Sequence, residues 1–140
     1  MIDIKSLLIL AVVTIIAVSC AKLFSKGSGG AKALTAFSNV NVDDFQALIA
    51  DAQVQLLDVR TPDEYAEGHI AGASLVDVND STFVQQAMAM LDKQRPVAVY
   101  CRSGRRSARA ASLLTEQGYT VTNLNGGVMA WLDAGKTLVK

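Results

Sequence analysis

Short apolar runs alternate with segments of helical periodicity along most of the chain. The apolar runs are rich in β-branched residues, as buried strands are, and they cover residues 55–59, 74–78, 96–100 and 120–124. Between them, apolar residues recur every three or four positions, which predicts helices over residues 42–50, 61–67, 82–91, 107–117 and 128–134. Strands that alternate with helices predict a parallel sheet that is covered by helices on both faces.

Two of these helices carry clear boundary signals. Thr61 and Glu64 have the spacing of a capping box, and Pro62 fits the first helical position. Gly68 follows as the end of this short helix, and Gly118 follows the helix over 107–117 at the position where glycine favours a C-terminal turn.

A different pattern occupies the N-terminus, where the run LLILAVVTIIAV fills residues 7–18. A membrane-spanning helix needs about 20 apolar residues, and this run is shorter. It resembles the hydrophobic core of a secretory signal. Cys20 follows the small residue Ser19, and the sequence IIAVSC resembles a bacterial lipobox. In lipoproteins the chain is cleaved before this cysteine, and the cysteine then carries the lipid. We therefore predict a signal segment over residues 1–20, lipidation of Cys20 and a membrane-anchored periplasmic lipoprotein.

The same run has a second interpretation as an uncleaved anchor helix. Lys22, Lys26 and Lys32 follow it, and the positive-inside rule would then place the remainder of the chain in the cytoplasm. Both interpretations predict membrane attachment through the N-terminus. Residues 21–36 are rich in Gly, Ser, Ala and Lys and predict a flexible tether, after which residues 37–140 form the folded domain.

Charge and cysteine usage exclude several kinds of partner. The 13 basic and 13 acidic residues give a net charge of zero, and no basic face indicates binding to nucleic acid. His69 is the one histidine, and the two cysteines do not have the spacing of a metal site. We predict neither a metal nor another cofactor.

Candidate chemistry concentrates at the end of the strand over 96–100. Cys101 begins the loop CRSGRR, which leads into a helix. Sites in open parallel sheets form at the carboxyl ends of strands, and a helix N-terminus attracts anions. That helix end and the nearby Arg102, Arg105 and Arg106 favour the thiolate form of Cys101, while Gly104 allows a tight backbone path.

A thiolate in such a loop suits sulfur transfer. It can attack the outer sulfur of an anionic donor such as thiosulfate, release sulfite and keep the sulfur as a persulfide. An acceptor, which could be a thiol, cyanide or a protein, then removes the sulfur. The competing interpretation is that Cys101 is an inert core residue and that the arginines form a solvated surface.

Three blocks of the sequence resemble the rhodanese family. LLDVRTPDEYAEGHIAGA at 56–73 is similar to its N-terminal signature, CRSGRRS at 101–107 to its active-site loop, and GYTVTNLNGGVMAW at 118–131 to its C-terminal signature. The resemblance covers about residues 38–135. It implies a five-stranded parallel sheet flanked by helices on both faces and a sulfurtransferase with Cys101 as the persulfide carrier.

The resemblance also implies roles for residues around Cys101. The backbone of the next five residues would form the substrate cradle, and the side chains of Arg102 and Arg106 would contact the substrate; the cradle residues are Arg102, Ser103, Gly104, Arg105 and Arg106. Asp58 and Arg60 match family positions near the site, and their residue types suggest an ion pair that orders the loops at the strand ends.

Two alternatives remain open at this point. Related phosphatases and arsenate reductases use a longer Cys-x5-Arg loop, but Ser107 occupies the position of that arginine. The domain could also be a membrane-tethered persulfide relay or a sulfide-sensing module without significant turnover of its own. Both of these roles need the same Cys101 loop, so the sequence does not separate them from a sulfurtransferase.

Overall fold

The computed structural model describes residues 36–140, which form one parallel sheet with helices on both faces. The strands are β1 (Ser38–Val40), β2 (Gln55–Asp58), β3 (Ser74–Leu75), β4 (Val97–Tyr100) and β5 (Val121–Leu124). The helices are α1 (Val42–Ile49), α2 (Pro62–Glu67), α3 (Phe83–Met90), α4 (Arg105–Glu116) and α5 (Gly127–Asp133). The five strands lie in the order β1-β5-β4-β2-β3, and every pairing is parallel, which confirms the predicted fold class.

Strand β4 lies at the centre of the sheet, and all four of its residues are buried. Its side chains alternate between two hydrophobic cores, because successive residues of a strand point to opposite faces. Val97 and Val99 join the core beneath α3 and α4, while Ala98 and Tyr100 join the core beneath α1 and α5. Burial on both faces explains why this strand reads as a continuous apolar run.

The helix boundaries follow the signals in the sequence closely at α2. Thr61 Oγ accepts a hydrogen bond from the Glu64 N–H, and the Glu64 carboxylate accepts one from the Thr61 N–H. This is the predicted capping box, with Pro62 in the first helical position. Gly118 has a φ of +94° just after α4, as its predicted role at the C-terminus of that helix requires.

Three elements differ from the predictions. Strand β1 was not predicted from the apolar pattern, because it has only three residues and lies at an exposed edge of the sheet. Helix α4 begins at Arg105, two residues before the predicted start, since Gly104 turns the chain directly into the helix. Strand β3 is limited to Ser74–Leu75, so the predicted strand over 74–78 was too long.

The predicted signal or anchor segment over 1–20, lipidation of Cys20 and almost all of the predicted tether lie outside the described residues. Within residues 36–140, no helix has both the length and the apolar character that crossing a bilayer requires.

Candidate functional site at the Cys101 loop

Cys101 lies at the carboxyl end of β4, directly before the loop that leads into α4. The residue is 1% exposed and packs against the core beneath α3 and α4. Its sulfur nevertheless faces the loop, because Sγ accepts hydrogen bonds from the Gly104 N–H at 3.1 Å and from the Ser107 hydroxyl at 3.3 Å. The side chain is therefore buried, as an inert core cysteine would be, but its reactive atom is held by the polar groups of the loop.

Ser107 is a member of this site that the sequence did not identify as one. It is the third residue of α4, is completely buried and points its hydroxyl back towards Cys101. Side chains of a helix lean towards its N-terminus, and this tilt brings a residue of the first turn over the preceding loop. A short hydroxyl side chain at that helical position was the available signal in the sequence.

One backbone group contacts the sulfur, because the Gly104 N–H is the one backbone N–H of the described residues that donates a hydrogen bond to Sγ. The cradle that the resemblance implies for residues 102–106 would hold the substrate, and it stays a prediction. Gly104 has a φ of +98°, and a Cβ atom there would lie 3.2 Å from the Gly126 nitrogen. The left-handed backbone conformation favours glycine at this position, and an added Cβ atom would also make a tight contact with the Gly126 backbone.

The loop arginines have two different environments. Arg102 and Arg105 are exposed, and neither forms a salt bridge within the described part of the chain. Arg106 instead donates two hydrogen bonds to the Glu64 carboxylate, at 2.8 and 2.7 Å. The pairing with Arg106 lowers the pKa of Glu64 to about 2 and raises the pKa of Arg106. The guanidinium that was expected on the substrate thus has a protein partner, which joins the first turns of α2 and α4.

Asp58 and Arg60 form the ion pair that their residue types suggested. Arg60 Nη2 lies 2.6 Å from Asp58 Oδ2, and both side chains are almost completely buried. The same Nη2 atom donates to the Gly68 carbonyl oxygen at 2.7 Å, and the guanidinium lies over the Tyr100 ring. The pair therefore connects the end of β2 to the segment that follows α2.

A second glycine turn, at the start of α5, contacts the backbone of the Cys101 loop. The N–H groups of Val128 and Met129, in the first turn of α5, donate to the carbonyl oxygens of Cys101 and Arg102 at 2.8 and 3.1 Å. A Cβ atom on Gly127 would lie 2.4 Å from the Arg102 oxygen, so only glycine permits this contact. The first turn of α5 thereby fixes the backbone of the Cys101 loop.

Asn123 of β5 also contacts the loop. Its Nδ2 atom donates to Asn39 of β1 at 2.9 Å and makes a longer contact of 3.4 Å with the Gly104 carbonyl oxygen. Asn123 is 2% exposed, and the sequence did not single it out.

His69 packs against helix α2. Its ring stacks on Tyr65 at 3.7 Å between centroids, and its backbone pairs with Val139. Trp131 is buried in the core beneath α1 and α5.

The fold and the loop define an α/β domain with a hydrogen-bonded cysteine at the carboxyl end of its central strand. The profile of the rhodanese-like domain matches residues 41–134. The protein belongs to the rhodanese-like domain family.

Individual relatives agree with this assignment. The sulfurtransferase of Allochromatium vinosum is 40% identical over 105 residues, which cover 71% of this chain and 95% of the relative. The thiosulfate sulfurtransferase GlpE of Shewanella oneidensis is 35% identical over 103 residues, which cover 72% and 98%. The crystal structure of a rhodanese-related protein from Thermoplasma volcanium superposes with a TM-score of 0.65 at 28% identity, covering 74% of this chain and 98% of that one.

Proposed function

We propose that this protein is a sulfurtransferase that takes sulfane sulfur from thiosulfate or a similar anionic donor, carries it as a persulfide on Cys101 and passes it to a thiophilic acceptor. The observation that carries the proposal is the hydrogen bonding of Cys101 Sγ by Gly104 and Ser107 at the start of α4. The names of the relatives, sulfurtransferase and thiosulfate sulfurtransferase, support the same reaction.

In the first half-reaction, the Cys101 thiolate attacks the outer sulfur of thiosulfate. A new S–S bond forms to Sγ, the S–S bond of thiosulfate breaks, and its electron pair leaves with sulfite. The hydrogen bonds from Gly104 and Ser107 stabilise negative charge on Sγ, and the N-terminus of α4 adds its positive dipole end. Arg102 and Arg105, exposed beside the loop, attract the divalent donor.

In the second half-reaction, an acceptor nucleophile attacks the outer sulfur of the persulfide. The electron pair of the breaking S–S bond returns to Sγ, which restores the thiolate. No separate general acid is needed, because both sulfite and the thiolate are good leaving groups.

Mass spectrometry after incubation with thiosulfate tests the first step. We expect Cys101 to gain one sulfur atom and one equivalent of sulfite to be released, and Cys101→Ser to do neither while it keeps the thermal unfolding profile of the wild type. A Cys101→Ser protein that still transfers sulfur would exclude this mechanism. Continuous turnover with cyanide or a small thiol separates an enzyme from a relay, which would pass its sulfur only to a protein.

We also propose that the N-terminus attaches the protein to a membrane, on the basis of the apolar run at 7–18 and of Cys20. Mass spectrometry of protein extracted from membranes tests this directly. A lipid-modified fragment that begins at Cys20 would support the lipoprotein, and an intact peptide from Met1 would support the anchor helix instead.

A further inference from the structure

Asn123 is a buried polar residue in the apolar interior of the sheet. It lies two positions after Val121 on β5, so both side chains point to the core beneath α3 and α4. Its Oδ1 atom is fully buried and has no hydrogen-bond partner among the described residues. A buried carbonyl oxygen without a partner lowers stability, and an apolar side chain at this position would avoid that cost. Stability alone therefore does not explain an asparagine here.

The amide nitrogen of Asn123 is fully used, in contrast to its oxygen. A side-chain amide carries two N–H groups, and Nδ2 has two acceptors: Asn39 Oδ1 at 2.9 Å and the Gly104 carbonyl oxygen at 3.4 Å. Asn39 is the residue of β1 that pairs in register with Asn123. The shorter contact holds the amide against the edge strand, and the longer contact reaches from the sheet to the Cys101 loop.

Gly104 is the residue whose backbone N–H binds the sulfur. The N–H donates to Cys101 Sγ at 3.1 Å, while the carbonyl group of the same residue meets Asn123. Gly104 has a φ of +98° and no side chain that packs against its surroundings, so the direction of its N–H depends on how its backbone is held. Within α4, the Ala108 N–H also donates to the Gly104 oxygen, but Asn123 is the contact that ties this residue to β5.

We infer that Asn123 is a positioning residue for sulfur transfer, because it keeps the Gly104 N–H directed at Cys101 Sγ. The inference rests on the proposed persulfide function. Asn123 acts through Gly104, and its own amide is bound to Asn39 and to the Gly104 carbonyl. A hydrogen bond to an anionic sulfur is strong only when its geometry is good, so a displaced N–H would stabilise the thiolate and the persulfide less.

Asn123→Leu in the full-length protein separates this role from a structural one. Leucine has the same branched shape, with a carbon atom in place of each polar atom. No buried group loses its last partner, because the Gly104 oxygen keeps the Ala108 N–H and Asn39 is exposed to water. We expect the melting temperature to stay the same or to rise, and kcat/KM for thiosulfate to fall by about threefold or more. A residue with only a structural role would lower activity only as far as it lowers stability.

Alkylation of Cys101 by iodoacetamide measures the state of the sulfur without sulfur transfer. The reaction requires the thiolate, and mass spectrometry of the Cys101 peptide follows it at several pH values. We expect the pH of half-maximal rate to be higher in Asn123→Leu than in the wild type, because a weaker hydrogen bond from Gly104 favours the thiolate less. A structural role in a folded variant would leave this midpoint unchanged.

Two further variants complete the test. Thr122→Val is the matched control, because Thr122 precedes Asn123 on β5 and its side chain points to the opposite face of the sheet. It exchanges a polar side chain for an apolar one of similar shape and should keep the rate and the midpoint of the wild type. Asn123→Ala places no atom against Gly104, so it reports on the loss of Nδ2 if leucine does not fit. It should show the same fall in rate and the same rise of the midpoint.

The outcomes separate this inference from the proposed function. A wild-type rate or a wild-type midpoint in folded Asn123→Leu and Asn123→Ala would overturn the positioning role, and so would equal changes in Thr122→Val. Release of sulfite from thiosulfate by the wild type would leave the proposed function intact in each of these cases. If the wild type releases no sulfite, the proposed function fails and the role in sulfur transfer fails with it, while the alkylation midpoint still decides whether Asn123 directs the Gly104 N–H at the sulfur.

Discussion

Of the two hydrogen-bond donors of Cys101 Sγ, only one can be removed by a substitution. The Gly104 N–H belongs to the backbone and is held in place by the turn at Gly104, whereas the Ser107 hydroxyl is a side chain. A hydrogen bond to a charged group is worth about 1.5–3 kcal/mol, and 1.4 kcal/mol corresponds to about tenfold in rate. Substitution of Ser107 therefore measures how much a hydrogen bond to the charged sulfur contributes to the rate.

Under the proposed function, we expect Ser107→Ala to lower kcat/KM for thiosulfate by about tenfold, because the proposed thiolate and persulfide would lose one hydrogen-bond donor. Ser112→Ala is the control, since Ser112 is exposed on the same helix and lies five residues beyond Ser107. Steady-state kinetics with thiosulfate and cyanide measure both variants. Equal activity of the two variants would remove Ser107 from the site.

At the scale of the element, the site depends on how closely the first turn of α5 approaches the Cys101 loop. Gly127→Ala would place a Cβ atom 2.4 Å from the Arg102 oxygen and 2.5 Å from the Cys101 oxygen. We expect this variant to displace the loop, to lower activity by about tenfold or more and to lower the melting temperature.

Gly135→Ala is a matched control for Gly127→Ala. Gly135 also has a positive φ, but an added Cβ atom there would have no neighbour within 4 Å. It should show only the cost of the left-handed conformation, about 1–2 kcal/mol, with activity retained in the folded protein. Similar losses of activity in both variants would mean that backbone strain, and not contact with the loop, explains the effect.

The pair of Arg106 and Glu64 joins helices α2 and α4 and makes a prediction about pH. The pKa of Glu64 is about 2 in the folded protein, compared with its usual 4.5, because Arg106 stabilises the carboxylate. The unfolded chain therefore binds a proton at a higher pH than the folded chain does. The pair contributes its stabilisation above about pH 5, and this contribution is lost as the pH falls towards 2. Since both side chains are 27% exposed, we expect the pair to contribute about 1–2 kcal/mol to the free energy of unfolding.

Urea unfolding of the wild type and of Glu64→Gln at several pH values measures this contribution. Glutamine keeps an acceptor for the Thr61 N–H but loses the charge that Arg106 binds. The difference between the two free energies of unfolding should be largest near pH 7 and should shrink as the pH falls. A difference that does not change with pH would show that the pair contributes by packing rather than by charge.

At the scale of the whole molecule, residues 36–140 contain all the strands and helices that form the sheet and its two cores. Both faces of the sheet are covered, and the two cores draw on strands and helices from the whole of this range. A chain that begins at residue 36 should therefore fold by itself, with a single cooperative thermal transition and, under the proposed function, the sulfur-transfer activity of the full chain. Circular dichroism and the thiosulfate assay test this, and a broad transition would show that earlier residues contribute to the fold.

Removal of strand β1 gives a sharper test of which residues the fold needs. A chain that begins at residue 42 lacks β1, which pairs with β5 through residues such as Ser38 and Thr122. It also lacks Asn39, the partner of Asn123 near Gly104. We expect this shorter chain to lose both stability and activity relative to the one that begins at residue 36.

The sequence by itself determined the features that depend on neighbouring residues. The alternation of apolar strands and periodic helices predicted the α/β fold, and the capping box at Thr61 and Glu64 predicted the start of α2. The position of Cys101 between an apolar strand and a helix placed it at the carboxyl edge of the sheet. These features are local because periodicity and caps act over a few residues.

Only the tertiary structure decided which distant groups meet. Arg106 pairs with Glu64 across 42 positions of sequence, and no local pattern specifies that partner. Strand β1 is defined by its pairing with β5, since its three residues are too few and too exposed to carry a periodic signal. A cleft beside Arg102 is formed by α2, α5 and the C-terminal segment together, so its shape follows from how these elements pack and from nothing that a single segment of the sequence contains.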